Sequence, residues 1–389
     1  MRVLHVAHQP PHPDAAGGTE RYAGALLGAQ REHGALAWSF HGPIDGARGW
    51  RASWDRPAVR ARFRRALQRL RPDIVHVHHL EGLGYSLLDE AAASGARVVL
   101  TLHDHWLVCA RGQRVDRDGQ RCEGPSVARC ARCVCAEVRA PLPPAVSTRL
   151  PAPRRALAAR FAAWERARDA VHAFHAPSPH IAERIGVPAT FLPLPLLGRS
   201  PAAPRRTARD DDALRMIFVG AMIPTKGPDL ALAAFARLPA GAATLQLVGP
   251  SPPWRGSTAW ATALRRRAEA TPGVRWSGAL GPDEVLDAMC AADLLLFPST
   301  WEENAPLVLV EAAAVGLPAL VSDVAGTWAA PNAVRVPPGD PDAWARALAA
   351  TIGHGPPPPS PSSAPDLAAH AEAMLRWYGA VAGRISFPR

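Results

Sequence analysis

Short apolar runs recur along the chain, and between them apolar residues return every three or four positions. Runs of strand length predict buried strands, and the longer spacing predicts helices with one apolar face. In the first half the strand candidates are Val3–Ala7, Leu36–Phe40, Ile74–His78, Arg97–Leu102, Ala170–Phe174 and Thr190–Leu192. Helices are predicted between them, notably at Thr19–His33, Asp55–Leu70 and Pro153–Arg168. Residues 198–212, GRSPAAPRRTARDDD, are polar, Pro-rich and aperiodic, which marks a linker. The alternation then restarts with strands at Arg215–Val219, Thr244–Val248, Val274–Ser277, Leu294–Phe297, Ala319–Val321 and Val334–Val336. A Pro-rich stretch at 353–366 precedes a last helix from Leu367 to Gly383. Two successive βαβ series predict an α/β protein of two doubly wound, Rossmann-like domains facing across a cleft. The expected domains are 1–197 and 213–366, with 367–389 crossing back to the first.

The stretch EENAPLVLVEAAAVGLP, residues 302–318, departs from a simple core pattern. Glu303 and Glu311 lie eight positions apart, and Glu311 falls inside an almost wholly apolar helix. Carboxylates are rarely buried without a partner. The unit reads as strand, loop, helix and strand, with Pro306 in the first helical turn and Gly316-Leu317-Pro318 as the stop. Ligands of open parallel sheets bind beyond the carboxyl ends of the strands, where helix N-termini offer unpaired N–H groups. Glu303 would sit in such a loop. The plain alternative makes Glu303 a first-turn acid and Glu311 the partner of an Arg.

Two other strand ends carry candidate chemistry. Gly17-Gly18-Thr19 follows the first strand, with glycines that permit close backbone approach and a Thr able to cap the next helix. Met216–Gly220 runs into Ala221-Met222-Ile223-Pro224-Thr225-Lys226, placing Lys226 at the start of a helix. Neither segment is a full dinucleotide fingerprint or a P-loop. His76, His78, His79, His103 and His105 crowd the ends of two further strands, where polar residues lining a cleft are favoured over a metal site.

Composition adds two points. The 389 residues carry a formal charge of +10, which favours phosphates or anionic surfaces as partners. The basic helix VRARFRRALQRL turns Val59, Phe63 and Leu67 inward and its arginines outward, offering a face to an anionic membrane. The basic residues are spread over both halves without interleaved aromatics, which argues against nucleic acid. No signal peptide or membrane span is read, so the expected location is cytoplasmic, with peripheral contact on the inner face of the membrane. Five of the six cysteines fall between Cys109 and Cys135. Cys109, Cys122, Cys130 and Cys133 are candidate ligands of a structural zinc that pins a long loop, with free thiols as the alternative.

In order, HQPPHPDAAGGTERYA, DIVHVHHL, TLHDHW, FVGAMIPTKG and PSTWEENAPLVLVEAAAVGLPALVSD resemble the retaining glycosyltransferases of family 4, which have the GT-B fold. Glu303-x7-Glu311 is similar to that family's paired-glutamate signature. The resemblance implies that Glu311 accepts from the ribose hydroxyls of a sugar nucleotide and that Glu303 contacts the donor sugar. The N–H groups of Asn304, Ala305 and Leu307 would surround its hydroxyls and phosphate, with Gly220 at the strand end in the same nucleotide site. Lys226 would neutralise the diphosphate, assisted by the Gly17-Gly18 backbone, and His103 would stand near the reacting sugar. No metal cofactor is expected for the chemistry. The family commonly has an Arg five residues before the Lys, and here that position is Ala221. The acceptor would be a hydroxyl of a glycan, lipid-linked or small molecule. The alternatives are another GT-B activity such as a sugar-nucleotide epimerase, or a catalytically silent nucleotide- or sugar-binding protein.

Overall fold

A parallel strand is covered on both faces, so its sequence is a continuous apolar run rather than an alternation. The computed structural model describes residues 1–13, 17–42, 56–116, 120–135, 151–197, 213–254, 256–324, 326–327, 330–362 and 364–383. It places the chain in two units, Met1–Leu197 with Pro365–Arg389, and Gly198–Ala364. The predicted linker at 198–212 lies outside the described residues.

In the first unit β1 (Arg2–Ala7), β2 (Leu36–His41), β3 (Ile74–Val77), β4 (Arg97–Thr101), β5 (Ala173–Ala176) and β6 (Thr190–Phe191) form one parallel sheet. Their order is β2-β1-β3-β4-β5-β6, so the chain reverses its direction of travel beside β1. Helices Pro57–Leu70 and Ser86–Ala93 cover one face, with Phe63, Leu67, Leu87 and Leu88 buried with Leu4, Val75 and Val98. The last helix, Leu367–Val381, belongs to this unit. Asp366 caps it by accepting from the Ala369 N–H at 2.7 Å. Its Trp377 indole donates to Thr190 Oγ1 at 3.2 Å, and Met374, Trp377 and Tyr378 are buried.

In the second unit β7 (Leu214–Val219), β8 (Ala243–Val248), β9 (Val274–Gly278), β10 (Leu294–Phe297), β11 (Ala319–Ser322) and β12 (Val334–Val336) are parallel. Their order β9-β8-β7-β10-β11-β12 reverses between β7 and β10, the doubly wound arrangement of nucleotide-binding sheets.

Several expectations shift. β5 begins at Ala173 rather than Ala170, because Arg168–Ala170 closes a 3-10 turn and Val171 donates back to the Arg168 carbonyl. The first helix starts at Gly18 with Gly17 as its cap residue, so Thr19 is inside it and does not cap. Pro306 precedes the helix Leu307–Ala314 rather than opening it. The cysteine segment is not all loop: Val127–Cys135 is helical. Cys130, Ala131 and Val134 fall on one side of that helix and pack with Leu157 and Phe161, which supplies the apolar face.

Candidate active site

The reversal between β7 and β10 opens the sheet edge where a ligand can enter, and the loops that leave those two strands meet there. Lys226 ends a 3-10 turn, Pro224–Lys226, after β7; Glu303 lies in the loop after β10. Lys226 Nζ reaches both Glu303 carboxylate oxygens, at 2.7 and 2.9 Å. Glu303 Oε1 also accepts from the Ser299 hydroxyl and the Trp301 indole N–H, each at 2.6 Å. The ammonium stands 5.0 Å from the centre of the Trp301 ring, where a cation is attracted to the aromatic face. Glu303 is 3% exposed, so its charge is held by these donors rather than by water. Two of the three Lys226 N–H bonds serve this pair.

Two glycines outside the expected set bring these loops together. Gly227 has φ +70° and a Cβ there would lie 2.1 Å from the Pro298 carbonyl oxygen. Gly326 has φ +89° and a Cβ would lie 1.8 Å from the carbonyl oxygen of Glu303. Both positions need a left-handed backbone and leave no room for a side chain. Gly227 was legible as the residue after Lys226, whereas Gly326 comes from beyond β11 and carried no local signal. Gly220 follows β7 directly, donating its N–H to Val248. Asn304 and Ala305 lie in the Glu303 loop, and Leu307 is the first residue of the helix that buries Glu311.

In the first unit, the direction of travel reverses beside β1, and polar groups gather beyond β1, β3 and β4. His8 Nε2 pairs with Glu20 at 3.0 Å, and the His8 and His79 rings stand 4.4 Å apart. His79 Nε2 faces Asp104 at 3.4 Å while its Nδ1 accepts the Glu81 backbone N–H at 3.1 Å. Burial alone would depress the His79 imidazole, but the Asp104 carboxylate outweighs it and raises His79 above its ordinary value. Burial likewise favours neutral Asp104, yet His79 holds it below the usual range. The glycine pair does not present an open anion site: a Cβ on Gly17 would lie 2.0 Å from Glu20 Oε2. The acid at this helix start is therefore the chain's own. Gly18 is the first residue of that helix.

A second set of histidines is buried. His5, His76, His78 and His175 are at most 2% exposed, and His370 of the last helix joins them. His103 is partly exposed and its Nε2 lies 3.2 Å from His78 Nδ1. Burial, with His175 and His79 nearby, pushes His103 down to about 3. Among the described residues, His5/His76/His78 and His8/His79/Glu81 have ligand atoms within 4.8 Å of one another. In the first set each ring nitrogen is already taken by a hydrogen bond within the protein.

Cys109, Cys122, Cys130 and Cys133 gather in the first unit without closing to that same spacing. Cys130 is buried, and burial together with the Cys109, Cys133 and Cys122 thiols pushes its own thiol up to about 11. On the basic helix, Arg60 and Arg64 pair with Glu90 and the Arg62 guanidinium lies over Phe40, so part of the cationic face is used internally. Among the described residues no helix is long and apolar enough to cross a membrane.

Comparison with known sequences matches both units to one group of enzymes. The family described as Glycosyltransferase Family 4 matches residues 16–190, and that described as Glycosyl transferases group 1 matches residues 213–354. The chain belongs to the family 4, group 1 glycosyltransferases. Relatives include D-inositol 3-phosphate glycosyltransferase of Streptomyces scabiei, 33% identical over 168 residues, 40% of this chain and 36% of the relative. The same enzyme of Stackebrandtia nassauensis is 33% identical over 146 residues, 36% of this chain and 32% of the relative. The chain thus matches about a third of the length of these curated relatives. Among solved structures, HepE of Anabaena in complex with UDP and glucose aligns with TM-score 0.57 at 15% identity, over 99% of this chain and 98% of that one. Sucrose-phosphate synthase of Thermosynechococcus elongatus aligns with TM-score 0.62 at 17% identity, over 98% and 96%. These structures share the two-domain GT-B fold.

Proposed function

We propose that the chain transfers a sugar from a nucleotide-sugar donor to an acceptor hydroxyl with retention of anomeric configuration. The observation that carries this reading is the Lys226–Glu303 pair at the β7/β10 reversal of a family 4 chain. The one remaining Lys226 N–H and the N–H groups of Asn304, Ala305 and Leu307 would hold the diphosphate. Glu311 would hold the ribose, and Glu303 would meet the donor sugar. His103 is assigned to the reacting sugar. As the sugar–phosphate bond breaks, charge grows on the leaving diphosphate, and preorganised donors stabilise it more than the ground state. The acceptor oxygen attacks the face that phosphate leaves, and the phosphate takes its proton. HepE was solved with UDP-glucose, which makes that nucleotide sugar the first probe.

A melting-temperature screen across UDP, GDP, ADP and dTDP sugars should single out one base, and that donor should release its nucleotide when an acceptor is supplied. Stabilisation without release would favour the silent binding protein, a reading kept alive by Ala221 and by the internal use of Lys226. Transfer is proposed to need no divalent metal; immediate loss in chelator, restored by magnesium with no change in melting temperature, would overturn that. The four gathered cysteines are proposed as a structural zinc site, and the Arg65–Arg69 side of the basic helix as a contact for anionic membrane.

A further inference from the structure

A buried run of hydrogen bonds crosses the first unit from β6 to His103, and its fixed end determines every proton along it. The Leu192 carbonyl can only accept, so His175 Nε2 carries a proton and donates to it at 2.8 Å. His175 Nδ1 is then an acceptor, and the Thr101 hydroxyl donates to it at 2.9 Å. With its proton used there, the Thr101 oxygen accepts from His76 Nε2 at 2.6 Å. His76 Nδ1 in turn accepts from the Tyr378 hydroxyl. The Tyr378 oxygen receives the Gln30 amide N–H at 3.3 Å, which turns the Gln30 carbonyl oxygen to His5 Nε2 at 3.0 Å. His5 Nδ1 must accept from His78 Nε2 at 3.0 Å, and His78 Nδ1 from His103 Nε2 at 3.2 Å.

One arrangement of protons satisfies the whole run, provided the imidazoles are neutral. Burial supplies that condition, depressing His5 and His175 to about 4 and His76 and His78 well below their ordinary value. A second arrangement would aim two hydrogens at one another or leave a buried nitrogen unsatisfied, which costs about 1–3 kcal/mol.

We infer that this run holds His103 as the Nε2–H tautomer, with Nδ1 an acceptor, and that Tyr378, Gln30 and Thr101 are positioning residues acting on His103 through it. Tyr378 lies on the last helix, which gives that helix a part in the site beyond packing. In that tautomer any group that meets His103 Nδ1 must bring the proton, as an alcohol hydroxyl does and a carboxylate does not. That consequence rests on the donor reading above; the tautomer does not.

The test is nitrogen NMR of the full chain labelled at histidine, with the His103 signals assigned by their loss in His103→Gln. At pH 7 the expected pattern is a protonated Nε2 and a bare Nδ1. The Tyr378→Phe and Thr101→Val variants keep shape but remove a hydroxyl from the run. In either folded variant His103 should show a mixture of tautomers, whereas Trp377→Phe, outside the run, should leave the pattern unchanged. A protonated Nδ1 in the wild type, an imidazolium at pH 7, or a His103 pattern unmoved in both hydroxyl variants would overturn the inference. Because the readout needs no substrate, failure to turn over UDP-glucose would count against the proposed function alone.

Discussion

Glu303 and Lys226 illustrate how an ion pair of unequal burial distributes its cost. The Glu303 side chain is 4% exposed and that of Lys226 24%, so an abandoned Lys can turn to water while an abandoned Glu cannot. Lys226→Met should therefore destabilise the fold by about 3 kcal/mol, and Glu303→Gln by about 1 kcal/mol, read from denaturant unfolding. Equal losses would mean that desolvation of the acid is not what the pair manages. In a folded Lys226 variant, turnover should fall more than the donor KM rises, because the diphosphate gains charge toward the transition state. Glu311 is buried on the helix Leu307–Ala314, and Glu311→Ala should weaken donor binding by about 1.5–3 kcal/mol. Unchanged nucleotide affinity in that variant would remove Glu311 from the site. The sequence named both glutamates and the lysine, because acids in an apolar stretch and a lysine after a strand stand out locally. Their pairing was not legible, since 77 residues separate Lys226 from Glu303 and strand order alone brings them together.

Strands declared themselves through unbroken apolar runs, as in Leu294–Phe297, where every residue is buried. Boundaries failed where a local turn competes, as at Arg168–Ala170 before β5. The helix Val127–Cys135 was hidden for a different reason: cysteine at 130 and 133 suggests metal spacing, while Cys130 packs on the helix's apolar side with Ala131 and Val134. Zinc would use that helix as a rigid arm for Cys130 and Cys133, with Cys109 and Cys122 brought from the preceding loop. Elemental analysis should then find about one zinc per chain, and chelation should lower the melting temperature. Protein without metal, with its thiols readily labelled, would leave the cysteines as packing residues.

At the level of the molecule, His76 and His78, read from sequence among a cleft lining, are instead buried together with His5, His175 and His370, and this makes the first unit sensitive to acid. Their partners could not be anticipated: His76 meets Tyr378 across 302 residues, and His370 meets Tyr22 across 348. Burial lowers His5 and His175 to about 4 and His370 to about 3, and lowers His76 and His78 well below their ordinary value. In the unfolded chain each titrates near 6.5. Below that pH the unfolded state binds protons that the folded state refuses, so stability rises with pH and is lost as pH falls from about 6.5 toward 4. Each such group contributes about 1.4 kcal/mol per pH unit in that window, against a total stability of about 5–15 kcal/mol. His79 works in the opposite sense: its raised value contributes stability that is present below about 6.5 and lost as pH rises through its folded value. One raised histidine does not offset the lowered set, which also includes His103. Calorimetry should show the first transition dropping steeply between pH 6.5 and 5, with proton uptake on unfolding of several per molecule. His370→Phe, in a folded variant, should lessen that uptake by about one. A melting temperature flat across this interval would mean that the buried imidazoles already carry protons in the folded chain, and the single-proton order of the run to His103 would fall with it.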